Sequence, residues 1–300
     1  MIVSAARRLD GSFAVGMASV LAVGLGSALA VGLASGAGGA PAQSGRLSSG
    51  PAHLYWSTVD GTIVKANLNG TRVRTIARGQ SGPNGVAVSS RHLYWANSSA
   101  GTIVEANLNG TRVKTIARGQ TIPYGLAVSS SHLYWAENYG VGPRGTGAIV
   151  EANLNGRHAK VIAKRQGGPN GVAVSGSHLY WANSAAGAIV EANLNGTGAK
   201  VIAKHQSHPT GITVSGSHLY WANYGPFGNT GKIVEADLNG SGAKAIAKRQ
   251  FGPDGVAVSG SRLYWANTVA GGKIVEAKLN GRGAKAIVKH QNPRGLAVGP

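Results

Sequence analysis

The tripeptide Leu-Tyr-Trp occurs six times in this chain of 300 residues, and its recurrence restricts the fold more than any other feature. The tryptophans of these segments lie 39 to 46 residues apart. They are Trp56, Trp95, Trp135, Trp181, Trp221 and Trp265. A repeat of about 40–45 residues is typical of the four-stranded blades of β-propellers, whereas helical repeats are mostly shorter. The sequence from residue 53 onward is therefore expected to be an array of similar β units.

Each unit contains four short segments rich in β-branched and aromatic residues. In the second unit these are residues 83–88, 92–95, 103–108 and 113–117. Asn-Gly stands between the third and fourth segments of every unit, and this dipeptide suits a two-residue hairpin turn because both positions accept a positive φ. We therefore expect four antiparallel strands per unit.

The repeats begin and end out of phase. Six Pro-x-Gly segments open the inner strands, but none precedes the first Leu-Tyr-Trp, and the last one, at 293–295, has no Leu-Tyr-Trp after it. The two ends complete each other if the C-terminal strand joins the first unit. An open array would leave strand edges unpaired at both ends. The expected fold is an all-β, six-bladed β-propeller closed by the C-terminal strand, which completes the first blade.

The repeat pattern resembles that of the YWTD propellers, the class B repeats of low-density lipoprotein receptors. The resemblance rests on Leu-Tyr-Trp, on Ile-Val-Glu-Ala-Asn-Leu-Asn-Gly and on Pro-x-Gly-Val-Ala-Val, and covers residues 53–300. The Thr-Asp half of the signature is replaced, by Ser57-Thr58 in the first unit, Ala136-Glu137 in the third and Ala-Asn in the others. The resemblance implies extracellular protein binding or release, but it does not carry over a ligand.

The N-terminal 42 residues differ from the repeats. Arg7 and Arg8 precede a glycine-rich apolar stretch over 13–37, and Ala40-Pro41-Ala42 has the form of a cleavage site. The expected organisation is a signal peptide or signal anchor at 1–42, a short linker at 43–52 and the propeller at 53–300. The protein is then secreted or extracytoplasmic, and a membrane is a partner only if the first segment stays uncleaved.

Composition excludes some chemistry and suggests one partner. The chain has no cysteine, so disulfides, thiolate metal sites and a cysteine nucleophile are excluded. The formal net charge is +19, and most of the Lys and Arg fall in the fourth segment of each unit or just behind it. Basic residues on an exposed outer strand prevent edge-to-edge aggregation, yet such a field also attracts anionic cell-wall polymers. No nucleic-acid partner is expected, because no pattern of stacking aromatics accompanies the charge.

The aromatic residues outside Leu-Tyr-Trp concentrate on one rim of the expected ring. This rim carries the Gln-x-x-Pro crossovers, the loops after Trp and both insertions, at 137–147 and 223–231. Exposed aromatics on loops of a rigid scaffold are common in binding surfaces, although loops also vary without function. The candidate ligand-binding residues are Tyr124, Glu137, Tyr139, Arg144, His208, Tyr224, Phe227, Phe251, Asp254 and Arg294.

The middle residues of the Pro-x-Gly segments are expected to ring the mouth of the central channel on the same rim. They are Asn84, Tyr124, Asn170, Thr210, Asp254 and Arg294. Asn84, Asn170 and Asp254 come from alternate blades and could offer oxygen ligands to a cation. A single carboxylate makes a weak site, so neither a metal nor a cofactor is expected, and water is the expected occupant.

Three functions fit these observations. The preferred one is a non-enzymatic binding module that holds a glycan, peptide or protein on the aromatic rim. The second is adhesion to anionic envelope polymers through the basic outer strands. The third is a lyase or lactonase at the channel mouth, for which the candidate catalytic residues are His208, Glu137, Asp254 and Arg294. No Ser-His-Asp triad or carboxylate pair can be placed in the sequence, so an enzyme is the less favoured reading.

Overall fold

The structure is a computed structural model that describes residues 52–139, 147–227, 230–269 and 271–300. The N-terminal segment 1–42 and nearly all of the linker lie outside the described residues, as does the candidate Arg144. In the described part of the chain, no helix is both long and apolar enough to span a membrane.

The described chain folds into 24 strands in six four-stranded sheets, here called blades. The first three strands, of blade 1, are β1 (His53–Thr58), β2 (Ile63–Asn67) and β3 (Arg74–Ala77). Blade 2 contains β4 (Pro83–Val88), β5 (His92–Asn97), β6 (Thr102–Asn107) and β7 (Lys114–Ala117). Blade 3 contains β8 (Pro123–Val128), β9 (His132–Glu137), β10 (Gly147–Asn153) and β11 (Lys160–Gln166).

The second half of the ring repeats this order. Blade 4 contains β12 (Pro169–Ser175), β13 (His178–Asn183), β14 (Ala188–Asn193) and β15 (Lys200–Ala203). Blade 5 contains β16 (Pro209–Ser215), β17 (His218–Asn223), β18 (Gly231–Asp237) and β19 (Lys244–Gln250). Blade 6 contains β20 (Pro253–Ser259), β21 (Arg262–Asn267), β22 (Lys273–Lys278) and β23 (Lys285–Lys289), after which comes β24 (Pro293–Gly299).

The last strand closes the ring. β24 pairs antiparallel with β1 as the inner strand of blade 1, with His53 opposite Gly299 and Trp56 opposite Leu296. The strand order of blade 1 is therefore β24-β1-β2-β3, while the other five blades use four consecutive strands. The expected fold, an all-β six-bladed propeller closed by its C-terminal strand, is confirmed.

The tyrosine and tryptophan of each repeat join neighbouring blades. Consecutive strand residues point to opposite faces of a sheet, so each blade presents Trp to one neighbour and Tyr to the other. Trp95 of blade 2 packs in one cluster with Tyr55 of blade 1, and Trp181 of blade 4 packs with Tyr134 of blade 3. All twelve side chains are at most 2% exposed. The core of the protein is thus a ring of six interfaces between blades.

The repeated glutamates pair with cations, as the sequence suggests for a structural position. In blade 3, Glu151 forms an ion pair with Lys160, whose Nζ lies 3.0 Å from Glu151 Oε2, and its other oxygen lies 3.8 Å from His132 Nε2. The equivalent glutamates of the other four blades that have one, Glu105, Glu191, Glu235 and Glu276, each bind a lysine of the outer strand. These ion pairs hold the outer strand to the blade.

Candidate functional site

The rim that carries the crossovers and the loops after the Trp strands is built by backbone hydrogen bonds. In blade 6 the N–H groups of Thr268 and Val269 donate to the carbonyls of Gly252 and Phe251, at 2.9 and 3.2 Å. In blade 5 the N–H of Tyr224 donates to the carbonyl of His208 at 3.0 Å. Each crossover therefore extends the ladder of its blade by a residue or two. We call this surface the crossover rim.

A glutamine at the start of each regular crossover fixes this rim to the core. In blade 4, Gln166 Oε1 accepts from Trp181 Nε1 at 2.8 Å and from Asn183 Nδ2 at 3.0 Å. The same acceptor serves the tryptophans of blades 2, 3, 5 and 6 through Gln80, Gln120, Gln206 and Gln250. This role of the glutamines was not predicted from the sequence. A constant separation of 15 residues between Gln and Trp was the available signal.

Exposed apolar side chains lie close together on one half of the crossover rim. Phe227 is 78% exposed, Phe251 42% and Val269 39%. A Cβ placed on Gly252 would meet Val269 Cγ2 at 2.6 Å and Tyr224 Cε2 at 3.0 Å, so both of these side chains lie against that glycine. Blades 5, 6 and 1 are consecutive in the ring, and blade 1 exposes Val59 on the same rim, where its N–H donates to the carbonyl of Asn292 in the crossover. We call Tyr224, Phe227, Phe251, Val269 and Val59 the apolar arc.

Blades 2 and 4 interrupt the rim with small side chains. At the corresponding positions these blades have only Ser, Gly and Ala. The crossover residues are 81–82 in blade 2 and 167–168 in blade 4, and the loop residues that they pair with are 98–99 and 184–185. Blade 3 again carries apolar groups, since Ile122 is 42% exposed and Tyr139 44%. The apolar arc thus spans the consecutive blades 5, 6 and 1, each of which exposes an apolar side chain on the described rim, and blade 3 adds a separate patch.

Glu137 is held as a buried acceptor within blade 3. It stands where the other blades have asparagine or threonine, and it is only 6% exposed. A carboxylate has no N–H to donate to the crossover glutamine, so it accepts instead, from Tyr139 Oη at 2.7 Å and from the N–H of Thr121 at 3.1 Å. The hydrogen bond to Glu137 is the main cause that raises the pKa of Tyr139. Glu137 therefore positions Tyr139 and the crossover of blade 3.

The channel mouth gathers three polar side chains from alternate blades. Asn84, Asn170 and Asp254 line one cavity together with the glycines of the Pro-x-Gly segments. The cavity offers about 50 Å³ to a water-sized sphere, enough for a few waters or an ion. Burial raises the pKa of Asp254 from 3.8 to about 6, although the nearby Arg294 lowers it. Asp254 is half-buried as a residue and lines the cavity.

Three of the six ring positions, Tyr124, Thr210 and Arg294, do not line that cavity. Tyr124 is half-buried and packs against the hydrophobic cluster between blades 3 and 4. Thr210 is buried, and its hydroxyl donates to the carbonyl of Pro253 at 3.1 Å. Among the six, the structure thus brings Asn84, Asn170 and Asp254 together at the cavity. The side chains of Tyr124 and Thr210 instead pack or hydrogen-bond within the protein.

The four residues considered for catalysis do not form one cluster. Glu137 belongs to blade 3, while His208 is exposed in the crossover that leads into blade 5. Asp254 lies in the channel next to Arg294. Within the described ranges no hydrogen bond or ion pair links Glu137, His208 and Asp254, and no three His, Asp or Glu side chains come together as a metal-ligand set. The geometry gives more support to a binding surface than to a reaction centre.

Solved structures share this fold. A chain of the nidogen/laminin complex superimposes with a TM-score of 0.72 at 20% identity, over 82% of this chain and 98% of that one. TolB from Acinetobacter baumannii gives a TM-score of 0.67 at 14% identity, over 83% of this chain and 66% of its own. A putative TolB from Agrobacterium tumefaciens gives 0.63 at 12% identity, over 82% and 91%. No family model and no curated protein matches the chain.

At these identities the likenesses show the fold. The matching chain of the nidogen complex is a six-bladed YWTD propeller, so the resemblance noted in the sequence is confirmed at the level of the fold.

Proposed function

We propose that this protein is an extracytoplasmic, non-enzymatic binding module that holds a peptide or protein surface on the apolar arc. The observation that carries the proposal is the exposure of Phe227, Phe251 and Val269 together on consecutive blades. When a partner binds, the adjacent aromatic and aliphatic groups on a rigid scaffold are removed from water. This burial of apolar surface favours association. The export pattern of residues 1–42 supports the location outside the cytoplasm.

The chemistry of the arc favours an apolar peptide or protein surface over a glycan. Sugar recognition needs several side chains that donate or accept hydrogen bonds beside the stacking ring. The arc supplies phenyl rings and valine methyls, while Tyr224 contributes the single phenol. The nidogen/laminin complex is an example of a protein complex that contains a propeller of this fold. A glycan ligand remains an outcome that the experiment below can detect.

The test is a binding screen of the protein against peptide and glycan arrays at low and high ionic strength. We expect hits that persist at high salt, because apolar contact is not screened by ions. Replacing Phe227 and Phe251 with alanine should weaken these hits at least tenfold. Val201→Ala is the matched control, since Val201 is 46% exposed on an outer strand away from the rim. Salt-resistant hits that survive the double substitution would refute the assignment.

Adhesion to anionic polymers is a second candidate, and one observation favours it. The outer-strand lysines that pair with glutamates are neutralised, but the cations at the ends of the outer strands and in the crossovers are not. In the described chain, Arg78, Arg118, Lys164, Lys204 and Lys248 have no carboxylate within 4 Å. This function predicts hits that vanish at high salt and are insensitive to the two phenylalanine substitutions.

A further inference from the structure

The ion pairs of the six blades differ at one place. In blades 2 to 6 a glutamate on the third strand stands opposite a tyrosine of the second strand and a lysine of the fourth. In blade 1 the same row reads Tyr55, Lys65 and Arg74. Blade 1 therefore has a cation, Lys65, at the register position where each of the other five blades has a glutamate, and it also keeps a cation, Arg74, on the outer strand.

Lys65 is held in this row without a counterion. Its side chain belongs to a residue that is 8% exposed, and its Nζ lies 5.1 Å from the centroid of the Tyr55 ring. Among the described residues no carboxylate lies within 4 Å of Lys65 or Arg74. A largely buried lysine that also feels the charge of a second cation is stabilised when an anion joins it.

The surrounding groups respond to this excess of positive charge. The pKa of His53 is lowered, first by burial and then by the charges of Lys65 and Arg74. The pKa of Lys65 is lowered by burial and by Arg74. In blade 3 the equivalent histidine instead lies 3.8 Å from a glutamate oxygen. Three strands of blade 1, β1, β2 and β3, thus place His53, Lys65 and Arg74 in one row, and no described Asp or Glu side chain forms an ion pair with them. The backbone oxygen of Pro300 is the acceptor in this row: it accepts from Tyr55 Oη, and Pro300 raises the pKa of His53.

We propose that blade 1 binds an oxyanion, a carboxylate or a phosphate, between Lys65, Arg74 and His53. The bound group takes the place that the glutamate carboxylate takes in the other five blades. A lysine ammonium flanks that carboxylate in all five, and a histidine or arginine lies on its other side in blades 2, 3, 4 and 6. Charge-assisted hydrogen bonds from two or three cations are the usual way in which proteins hold such anions. This site is separate from the apolar arc and does not depend on the function proposed for it.

The equivalent row elsewhere in the ring is open to a ligand. Between blades 5 and 6 a groove of about 500 Å³ is lined by His218, Tyr220 and Glu235 on one side. The other side is formed by Ser261-Arg262 and by residues 278–280. The row of blade 1 occupies the same register on its own sheet, so we expect a comparable entry between blades 1 and 2.

The test uses the full chain and two probes, inorganic phosphate and acetate, each compared with chloride at equal ionic strength. NMR follows the ring protons of His53. A bound anion should shift them saturably and raise the pKa of His53, because it offsets the two nearby cations. His92, His132 and His178 are internal controls, since each already lies next to a glutamate. Saturation with phosphate, with acetate or with both supports the site and shows which source it prefers; saturation with neither overturns it.

Two substitutions give the test its specificity. Lys65→Glu supplies the missing carboxylate from the chain itself, so the saturable response should disappear and the pKa of His53 should rise without any added anion. Arg74→Ala should raise the apparent dissociation constant at least tenfold. Arg118→Ala, which removes an exposed crossover cation of another blade, should leave the response unchanged. A wild-type response in both the Lys65→Glu and Arg74→Ala proteins would overturn the proposal.

Discussion

The backbone N–H of Gly295 donates a hydrogen bond of 3.1 Å to Ser57 Oγ, which lies 238 residues earlier in the chain. The same hydroxyl donates to the carbonyl of Asn84 in blade 2. One side chain therefore connects the C-terminal strand, the N-terminal strand and the next blade. The other five blades have alanine at this position, so the hydroxyl belongs to the closure of the ring and not to the repeat.

Deletion of residues 292–300 should unfold the propeller cooperatively. The deletion removes β24, exposes the paired edge of β1, and takes away the N–H that Gly295 donates to Ser57 and the acceptor of the Tyr55 hydroxyl. The deletion should remove most of the free energy of unfolding, which is about 5–15 kcal/mol for a typical domain. Circular dichroism melts of the full and truncated chains measure it. Equal melting temperatures would show that β24 does not close the ring.

Much of this architecture could be predicted from the sequence because it follows from repetition. The period of Leu-Tyr-Trp gives the number of blades, and the unmatched ends at Leu54 and Gly295 give the closure. Individual side chains were harder to predict, because a rim position in a repeat can point outward or into a blade interface. Tyr124 packs between blades 3 and 4, and Glu137 is buried as a hydrogen-bond acceptor. No local sequence pattern distinguishes these buried positions from exposed positions on the rim.

The crossover glutamines should contribute unequally to stability. Gln166→Leu removes the acceptor for Trp181 Nε1 and Asn183 Nδ2 and leaves two poorly hydrated donors without partners. We expect a loss of about 2–4 kcal/mol in the free energy of unfolding, since each such donor costs about 1–3 kcal/mol. Urea denaturation followed by tryptophan fluorescence is the measurement.

Gln291→Leu is the matched control for that substitution. Gln291 lies one residue closer to its proline than the other crossover glutamines do, and Trp56 Nε1 has no hydrogen-bond partner among the described residues. The change should therefore cost no more than about 0.5 kcal/mol. Equal losses for the two variants would mean that the hydrogen bonds to Gln166 do not explain its effect.

Asp254 should make stability fall as the solution passes from acid to neutral pH. Its pKa is about 6 in the folded protein and 3.8 ordinarily, so the folded state keeps the proton longer than the unfolded chain. Linkage then makes the free energy of unfolding decrease between about pH 4 and pH 6, with the full cost present above that range. Two pKa units correspond to about 3 kcal/mol, which is an upper bound here.

Asp254→Asn is the variant that isolates this titration. It keeps the shape of the side chain but cannot ionise, so it should be more stable than the wild type at pH 7.5 and about equal to it at pH 4. Its advantage is reduced because the attraction to Arg294 is lost as well. Urea titrations of both proteins at the two pH values provide the comparison. An advantage of the same size at both pH values would rule out the ionisation of Asp254 as its cause.

The glycine of the Asn-Gly turns should prove necessary for contact between blades as well as for the turn. Gly110 in blade 2 has a φ of +84°, and a Cβ there would lie 2.1 Å from the carbonyl oxygen of Ile76 in the outer strand of blade 1. Gly119 has a similar φ of +70° but has open space around the Cβ position. Gly119→Ala should therefore cost about 1 kcal/mol, the ordinary penalty of a left-handed backbone. Gly110→Ala should cost at least about 2 kcal/mol more, because a packed interface must also move. Thermal melts of the two variants test this difference, and a similar loss in both would show that turn geometry alone selects the glycine.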